Sequence, residues 1–159
     1  MNRSEIQTRL ANSGDAEKIT ALINVAFKGA ENFFVEGDRI DFKSVLELLE
    51  KGEFVIAESL GVMAGCVYIE PRGDRTYLGL LSVEPSRQQF GLGSLLMKAA
   101  EERCRARGDR FIDMLIVNLR EELPSFYKKH GYVETGTSPF PEDVETKLPC
   151  HFINMSKEL

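Results

Sequence analysis

The spacing that most plainly suggests chemistry is that of Gln88, Gly91 and Gly93, inside the run Leu81-Ser82-Val83-Glu84-Pro85-Ser86-Arg87-Gln88-Gln89-Phe90-Gly91-Leu92-Gly93-Ser94. An apolar stretch stops at Pro85, a short loop carries two glycines, and an amphipathic helix pattern begins. The first N–H groups of a helix lack partners and carry partial positive charge. Glycine removes the Cβ that would hold a phosphate at a distance. The combination makes a cradle for a pyrophosphate. Two common nucleotide loops do not fit: the dinucleotide fingerprint needs a third glycine where Leu96 stands, and a P-loop needs a lysine between Gly93 and Ser94. Glycines alone would equally mark a plain strand-to-helix connection; the glutamine at fixed spacing sharpens the signal. Metal chemistry is not indicated. The histidines are His130 and His151, and Cys66, Cys104 and Cys150 are dispersed, odd in number and without C-x-x-C spacing.

The elements that must position this loop can be read from periodicity. Residues 6–11 form a short first strand, and Ser13-Gly14-Asp15 starts a helix with Ile19, Leu22, Ile23, Ala26 and Phe27 on one face. Lys28–Arg39 reads as irregular. A second helix turns Phe42, Val45, Leu46 and Leu49 inward and ends at Gly52. Strands 54–59 and 62–70 flank a turn at Leu60-Gly61, and Pro71–Asp74 makes a second turn. Strand 76–83 is nearly continuous apolar, hence central, and Pro85 closes it. A long helix from about Gly91 to Arg107 buries Leu92, Leu95, Leu96, Ala99, Ala100 and Cys104, with Gly108 as its cap. Strand 111–117 follows by a right-handed parallel crossover. A short helix containing Ser125–His130 is capped by Gly131, and strands 132–137 and 152–157 bracket a loop with Pro139, Pro141 and Pro149. The expected fold is mixed α/β with one open twisted sheet.

A chain of 159 residues fits one domain, taken as 1–159, that needs no disulfide or metal to hold its core. The net charge of −5 gives no general basic field for nucleic acid or anionic membrane, so neither is expected as a partner. Met1-Asn2-Arg3-Ser4-Glu5 has no apolar run behind it, so no signal peptide or membrane span is expected and the cytoplasm is the expected compartment.

Gln88-x-x-Gly91-x-Gly93 resembles the Gln/Arg-x-x-Gly-x-Gly/Ala signature of the GNAT acetyltransferase superfamily, and Leu81-x-Val83-x-Pro85 resembles its approach strand. Downstream, Glu122-Leu123-Pro124-Ser125-Phe126-Tyr127-Lys128-Lys129-His130-Gly131-Tyr132 is similar to the family's Phe-Tyr-x-x-x-Gly-Phe/Tyr motif, and Phe152-x-x-Met155-x-Lys157-x-Leu159 to its last strand. Two motifs at the right separation within the right element order make the resemblance specific, and it covers nearly the whole chain. Two departures are visible: Gln89-Phe90 replaces a commoner small or basic pair, and Gln88 stands where arginine is frequent. The resemblance implies a single-domain GNAT-like fold, with a mostly antiparallel sheet of about seven strands, four helices and splayed central parallel strands.

It also implies acetyl-CoA as co-substrate. Leu81, Ser82 and Val83 would line the pantetheine arm, with a backbone N–H near Leu81 donating to the thioester carbonyl. Gln88, Gln89, Phe90, Gly91, Leu92, Gly93 and Ser94 would form the cradle, and Asn118, Phe126, Tyr127 and Lys129 would complete the cofactor site. Aminolysis of a thioester needs a neutral amine, a donor for the carbonyl oxygen and a proton for the leaving thiolate. Tyr127 matches the motif tyrosine, and a phenol with an ordinary pKa of about 10 is protonated at neutral pH and can supply that proton. The alternative is a packing role between Phe126 and Tyr132. For the base, Glu70, Glu84 and His151 stand at strand ends, and a water chain on backbone carbonyls is the alternative to all three.

The expected acceptor is a small-molecule primary amine. A protein amine and a non-catalytic acyl-CoA-binding module are the rival readings, and the protein is expected as a monomer or homodimer. The acceptor pocket is expected from Lys28–Arg39, Glu70–Arg75 and Thr137–Pro149, with Phe33, Glu70, Glu142, Asp143 and His151 as contacts.

Overall fold

A computed structural model describes residues 5–159 of the chain; the N-terminal reading on Met1–Ser4 lies outside the described residues. The elements in order are β1 (Ile6–Leu10), α1 (Ala16–Glu31), α2 (Phe42–Lys51), β2 (Glu53–Ser59), β3 (Val62–Arg72), β4 (Arg75–Val83), α3 (Leu92–Arg107), β5 (Phe111–Val117), α4 (Leu123–Lys129), β6 (Val133–Pro139) and β7 (His151–Glu158). Short 3₁₀ turns at Ser13–Asp15 and Pro85–Phe90 lead into α1 and α3. The seven strands form one sheet in the order β1-β2-β3-β4-β5-β7-β6. Every adjacent pair is antiparallel except β4 and β5.

Helices cover the sheet from both sides, because alternating strand residues send apolar side chains to both faces. On one face Leu96, Met97, Ala100 and Cys104 of α3 pack with Val67, Leu78, Ile112 and Met155, and Tyr127 of α4 joins them. On the other, Ile19 and Ile23 of α1 and Val45 of α2 pack with Phe54, Ile56, Cys66 and Tyr68. That second layer covers β2–β4 and leaves the same face of β5, β7 and β6 open. Among the described residues no helix is long and apolar enough to cross a membrane.

Two boundaries differ from the periodicity reading. Helix α1 continues through Lys28–Glu31, the first part of the Lys28–Arg39 stretch that is expected to be irregular. Glycine inside a helix costs about 1 kcal/mol. Here the helix end is fixed from outside: Arg120 holds the Glu31 carboxylate at 3.0 Å. Asn32 N–H also closes onto Lys28 O. Strand β3 runs on through Pro71 to Arg72, and the hairpin turn is Gly73-Asp74. Proline is accommodated because β2 stops pairing at Ile69, so Pro71 lies where β3 has β4 as its one neighbour.

Candidate active site

The candidate site lies where β4 and β5 part. They are laddered only at Arg75↔Phe111, Thr76↔Ile112 and Tyr77↔Asp113. Beyond Tyr77, β4 stays on β3 to Val83 and β5 stays on β7 to Val117. A bulge redirects β4: Val67 faces two residues, Leu80 and Leu81, with Leu80 at φ 55°. A leucine in the left-handed region is strained. It is retained because Leu80 packs in the α1/α2 layer and its carbonyl accepts from Ser82 Oγ at 2.9 Å. As a result the β5-facing edge of β4 from Leu78 to Val83 has no ladder partner, and an extended chain can add there as a strand does.

At the end of that edge stands the start of α3. Gly91 sits at φ 73°, a conformation a side chain resists, and joins the 3₁₀ turn to the helix. No side chain caps α3, and Leu95 N–H is the first to reach a helical carbonyl, Gly91 O, at 3.1 Å. The N–H groups of Leu92, Gly93 and Ser94 therefore face outward without partners. A Cβ on Gly93 would come within 3.3 Å of the Phe126 ring, so glycine here also lets α4 approach. In the turn before it, Arg87 Nη1 is buried without a hydrogen-bond partner, a costly state that a bound anion relieves. An uncapped helix start, an orphaned guanidinium N–H and an unpaired strand edge together fit a ligand with phosphates at one end and amide groups along its arm.

The sequence-predicted donor-side residues converge. Leu81, Val83 and Phe126 pack against the cluster that holds Tyr127. Ser94 Oγ lies 3.1 Å from His130 Nε2 at the end of α4. Gln88 is exposed, its amide 3.4 Å from Val83 O. Phe90 is half-buried in the turn, Lys129 is exposed, and of Gln89 only the backbone is described. Two side chains are otherwise engaged. Leu92 is fully buried, so it offers the cradle only its backbone. Asn118 Oδ1 accepts from His151 N–H at 2.8 Å while Asn118 N–H donates to His151 O, which extends the β5–β7 ladder past its end.

Tyr127 is 5% exposed, and burial pushes its phenol up to about 12 against a partial opposing effect of Arg120. It therefore stays protonated well above neutral pH. Its helix is anchored at the far end. Tyr132 donates to Glu101 Oε2 at 3.0 Å and Lys157 Nζ to Glu101 Oε1 at 2.7 Å, which ties α3, the end of α4 and β7 together.

Acceptor-side expectations fare unevenly. Phe33 is 49% exposed and edge-on to Phe34. Glu70 points toward the end of α2: its Oε1 is 2.8 Å from the Tyr68 hydroxyl and its Oε2 is 2.9 Å from Arg72. Burial pushes that carboxyl up, but these two bonds outweigh it and leave it below the usual range, a poor base. Glu84 caps the 3₁₀ turn by accepting from Ser86 N–H. His151 is exposed at the start of β7, and Glu142 and Asp143 are exposed in the β6–β7 segment with no partner among the described residues.

Three features were not singled out from sequence. Val35 and Thr146 form an isolated antiparallel bridge, and Lys147 N–H donates to Phe34 O at 2.8 Å. Lys147 Nζ reaches Asn32 O at 3.3 Å and Glu36 at 3.2 Å. The α1–α2 and β6–β7 segments are thus strapped together. Arg120, between β5 and α4, bonds Glu31 at 3.0 Å and Glu122 at 2.6 Å. Finally, a groove of about 580 Å³ opens along the uncovered sheet face, lined by Arg72, Tyr77, Leu115 and Asn154 among others. No local spacing announces a contact between residues 31 and 120 or 35 and 146.

Residues 26–159 match the family described as Acetyltransferase (GNAT) domain. With that match over most of its length, the chain belongs to the GNAT acetyltransferases, enzymes whose acetyl donor is acetyl-CoA. The fold agrees with solved members. Ard1 from Thermoplasma volcanium superposes with a TM-score of 0.82 at 18% identity, covering 98% of each chain. The ribosomal-protein-S18-alanine N-acetyltransferase from Escherichia coli gives 0.74 at 16%, covering 96% of this chain and 93% of that one. The yncA protein from Salmonella typhimurium, solved with its cofactor acetyl-CoA, gives 0.75 at 19%, covering 98% and 94%. At these identities the likeness is one of fold. No curated protein is similar enough in sequence to count as a relative.

Proposed function

We propose that the protein moves the acetyl group of acetyl-CoA to a small-molecule primary amine by direct attack across the gap between β4 and β5. The observation that carries this is the convergence at the carboxyl ends of β4 and β5 of an unpaired strand edge, an uncapped helix start and a buried phenol. In this reading the N–H groups of Leu92–Ser94, with Gln88 to Phe90 beside them, hold the pyrophosphate. The edge of β4 at Leu81–Val83 pairs with the pantetheine arm and polarises the thioester carbonyl. Asn118, Phe126 and Lys129 flank the arm, and Tyr127 gives its proton to the departing sulfur.

The amine comes from the sheet face opposite α3, with Phe33, Glu142, Asp143 and His151 as its contacts. The strap that joins Phe34–Val35 to Thr146–Lys147 favours a slender acceptor over a bulky surface in this reading. A polypeptide N-terminus is the second reading; it is slender too, and one of the similar folds acts on a ribosomal protein's alanine. A panel of small amines and alanine-initiated peptides, with acetyl-CoA and thiol release as the readout, separates the two. Turnover confined to small amines is expected; turnover confined to peptides would reverse the assignment.

A further inference from the structure

Of the groups expected to serve as base, Glu70 is engaged, Glu84 caps a turn and His151 is exposed, whereas a carboxylate that the sequence did not mark stands in a different setting. Glu31 ends α1 on the sheet face opposite α3 and its cradle, and its side chain is 12% exposed. Its Oε2 receives Arg120 at 3.0 Å, while its Oε1 has no hydrogen-bond partner among the described residues. Arg120 connects the two halves of the site. Its N–H bonds Val117 O at the end of β5, its carbonyl accepts from Leu123 N–H at the start of α4, and its charge acts on the Tyr127 phenol.

We propose that Glu31 is the residue that binds the acceptor's ammonium and takes its proton, with Arg120 as the positioning residue that holds its carboxylate between α1 and the β5–α4 connection. This rests on the acetyl-transfer reading above. The charges facing Glu31 are Arg120 and Glu122 from that connection and Arg39 from the α1–α2 segment, while Lys147 of the β6–β7 segment pairs with Glu36 beyond the helix end. Arg120 divides its charge between Glu31 and Glu122. The Glu31 carboxyl is driven above the usual range, because burial raises it more than Arg120 lowers it. A carboxylate short of solvent and with a free oxygen favours a second cation or a proton, which is what a base for an ammonium needs.

The step balances as follows. An N–H proton of the ammonium passes to Glu31 Oε1, leaving a neutral amine and a protonated carboxyl. The nitrogen lone pair forms the C–N bond as the carbonyl pair moves to oxygen. Collapse restores C=O and breaks C–S. The sulfur takes the Tyr127 proton, the surplus proton on nitrogen returns to the Tyr127 oxygen through water, and Glu31 releases its proton to solvent.

Glu31→Gln keeps the shape and an oxygen for Arg120 but removes the charge. The experiment compares it with wild type using spermidine, β-phenylethylamine and an alanine-initiated peptide, from about pH 6 to about pH 10. A carbon-13 titration of the Glu31 carboxyl in the protein without acetyl-CoA runs alongside. Acceptor kcat/KM should fall about 10²-fold near neutrality, within the range of general base catalysis. The loss should shrink as rising pH deprotonates the amine itself, and the KM for acetyl-CoA should stay put. The carboxyl should titrate above ordinary glutamates. A loss equal at every pH, no loss, or an ordinary titration midpoint overturns the assignment. If Glu31→Gln melts early, Glu31→Asp takes its place and should retain the pH dependence at reduced rate; if it does not, Glu31 is not the base. Absence of wild-type turnover with all three amines sinks the acetyl-transfer reading instead, and the carboxyl titration still decides on Glu31.

Discussion

The donor side and the acceptor side of the parted strands are built by different means. On the donor side, everything hangs on element ends. A strand edge, a glycine at φ 73° and an uncapped helix start stand within a dozen residues of one another, and α4 is seated on them through Phe126. On the acceptor side, contacts join segments far apart in sequence: Glu31 to Arg120, Val35 to Thr146, Lys147 to Glu36. In the proposed reading, phosphate binding would draw on backbone N–H groups that the fold supplies whatever the side chains, and amine selection on side chains at loop contacts, which can change without disturbing the core.

If that division is real, substitutions should separate cleanly by side. The largest effect is expected from Gly93→Asp, which puts a carboxylate among the orphan N–H groups and presses on Phe126. Stabilisation of the fold by CoA should vanish, because only binding to the native state raises the melting temperature. Undiminished CoA binding in a folded variant would remove the cradle. Next is Tyr127→Phe. It should lower kcat by about 10²-fold, the low end of general acid catalysis, with acetyl-CoA affinity changed no more than a few-fold. A wild-type kcat under rate-limiting chemistry would make Tyr127 a packing residue.

Smaller effects belong to the acceptor side. Lys147→Ala loosens the strap and should shift kcat/KM toward bulkier amines by a few-fold. It should cost well under about 1 kcal/mol of stability, since the Lys147–Glu36 pair is largely exposed. Unchanged selectivity would make the strap a passive contact. Smallest is the double change of Glu142 and Asp143 to Ala. Exposed carboxylates attract a cationic amine from a distance, so acceptor KM should rise only modestly and the difference should disappear in high salt. A salt-independent effect would mean direct contact.

The same division explains what could be read from the sequence. Gln88-x-x-Gly91-x-Gly93 and Phe126-Tyr127 are local spacings, so the strand-to-helix turn, the short helix and the crossover were legible, as were the apolar faces of α1 and α3, whereas the parting of two parallel strands followed only from the family resemblance. The continuation of α1 to Glu31 was not legible, because Gly29 argues against it and Arg120, which supports it, is remote. Pro71 looked like a turn because the missing neighbour that excuses it, the end of β2, is a fact of pairing. Glu70 was a base candidate from its place at a strand end, but Tyr68 and Arg72, two residues to either side and so on the same strand face, close on its two oxygens.

The central claim, that acetyl passes from CoA to an amine across these strands, is tested most directly by incubating the protein with acetyl-CoA and the amine panel. Released thiol and acetylated amine are then quantified together by mass spectrometry. Thiol and acetylated product should appear in equal amounts, saturably in both substrates, with both lost in Gly93→Asp. Saturable CoA binding with no amine-dependent thiol release from any member of the panel would contradict the account and leave an acyl-CoA-binding module without catalysis.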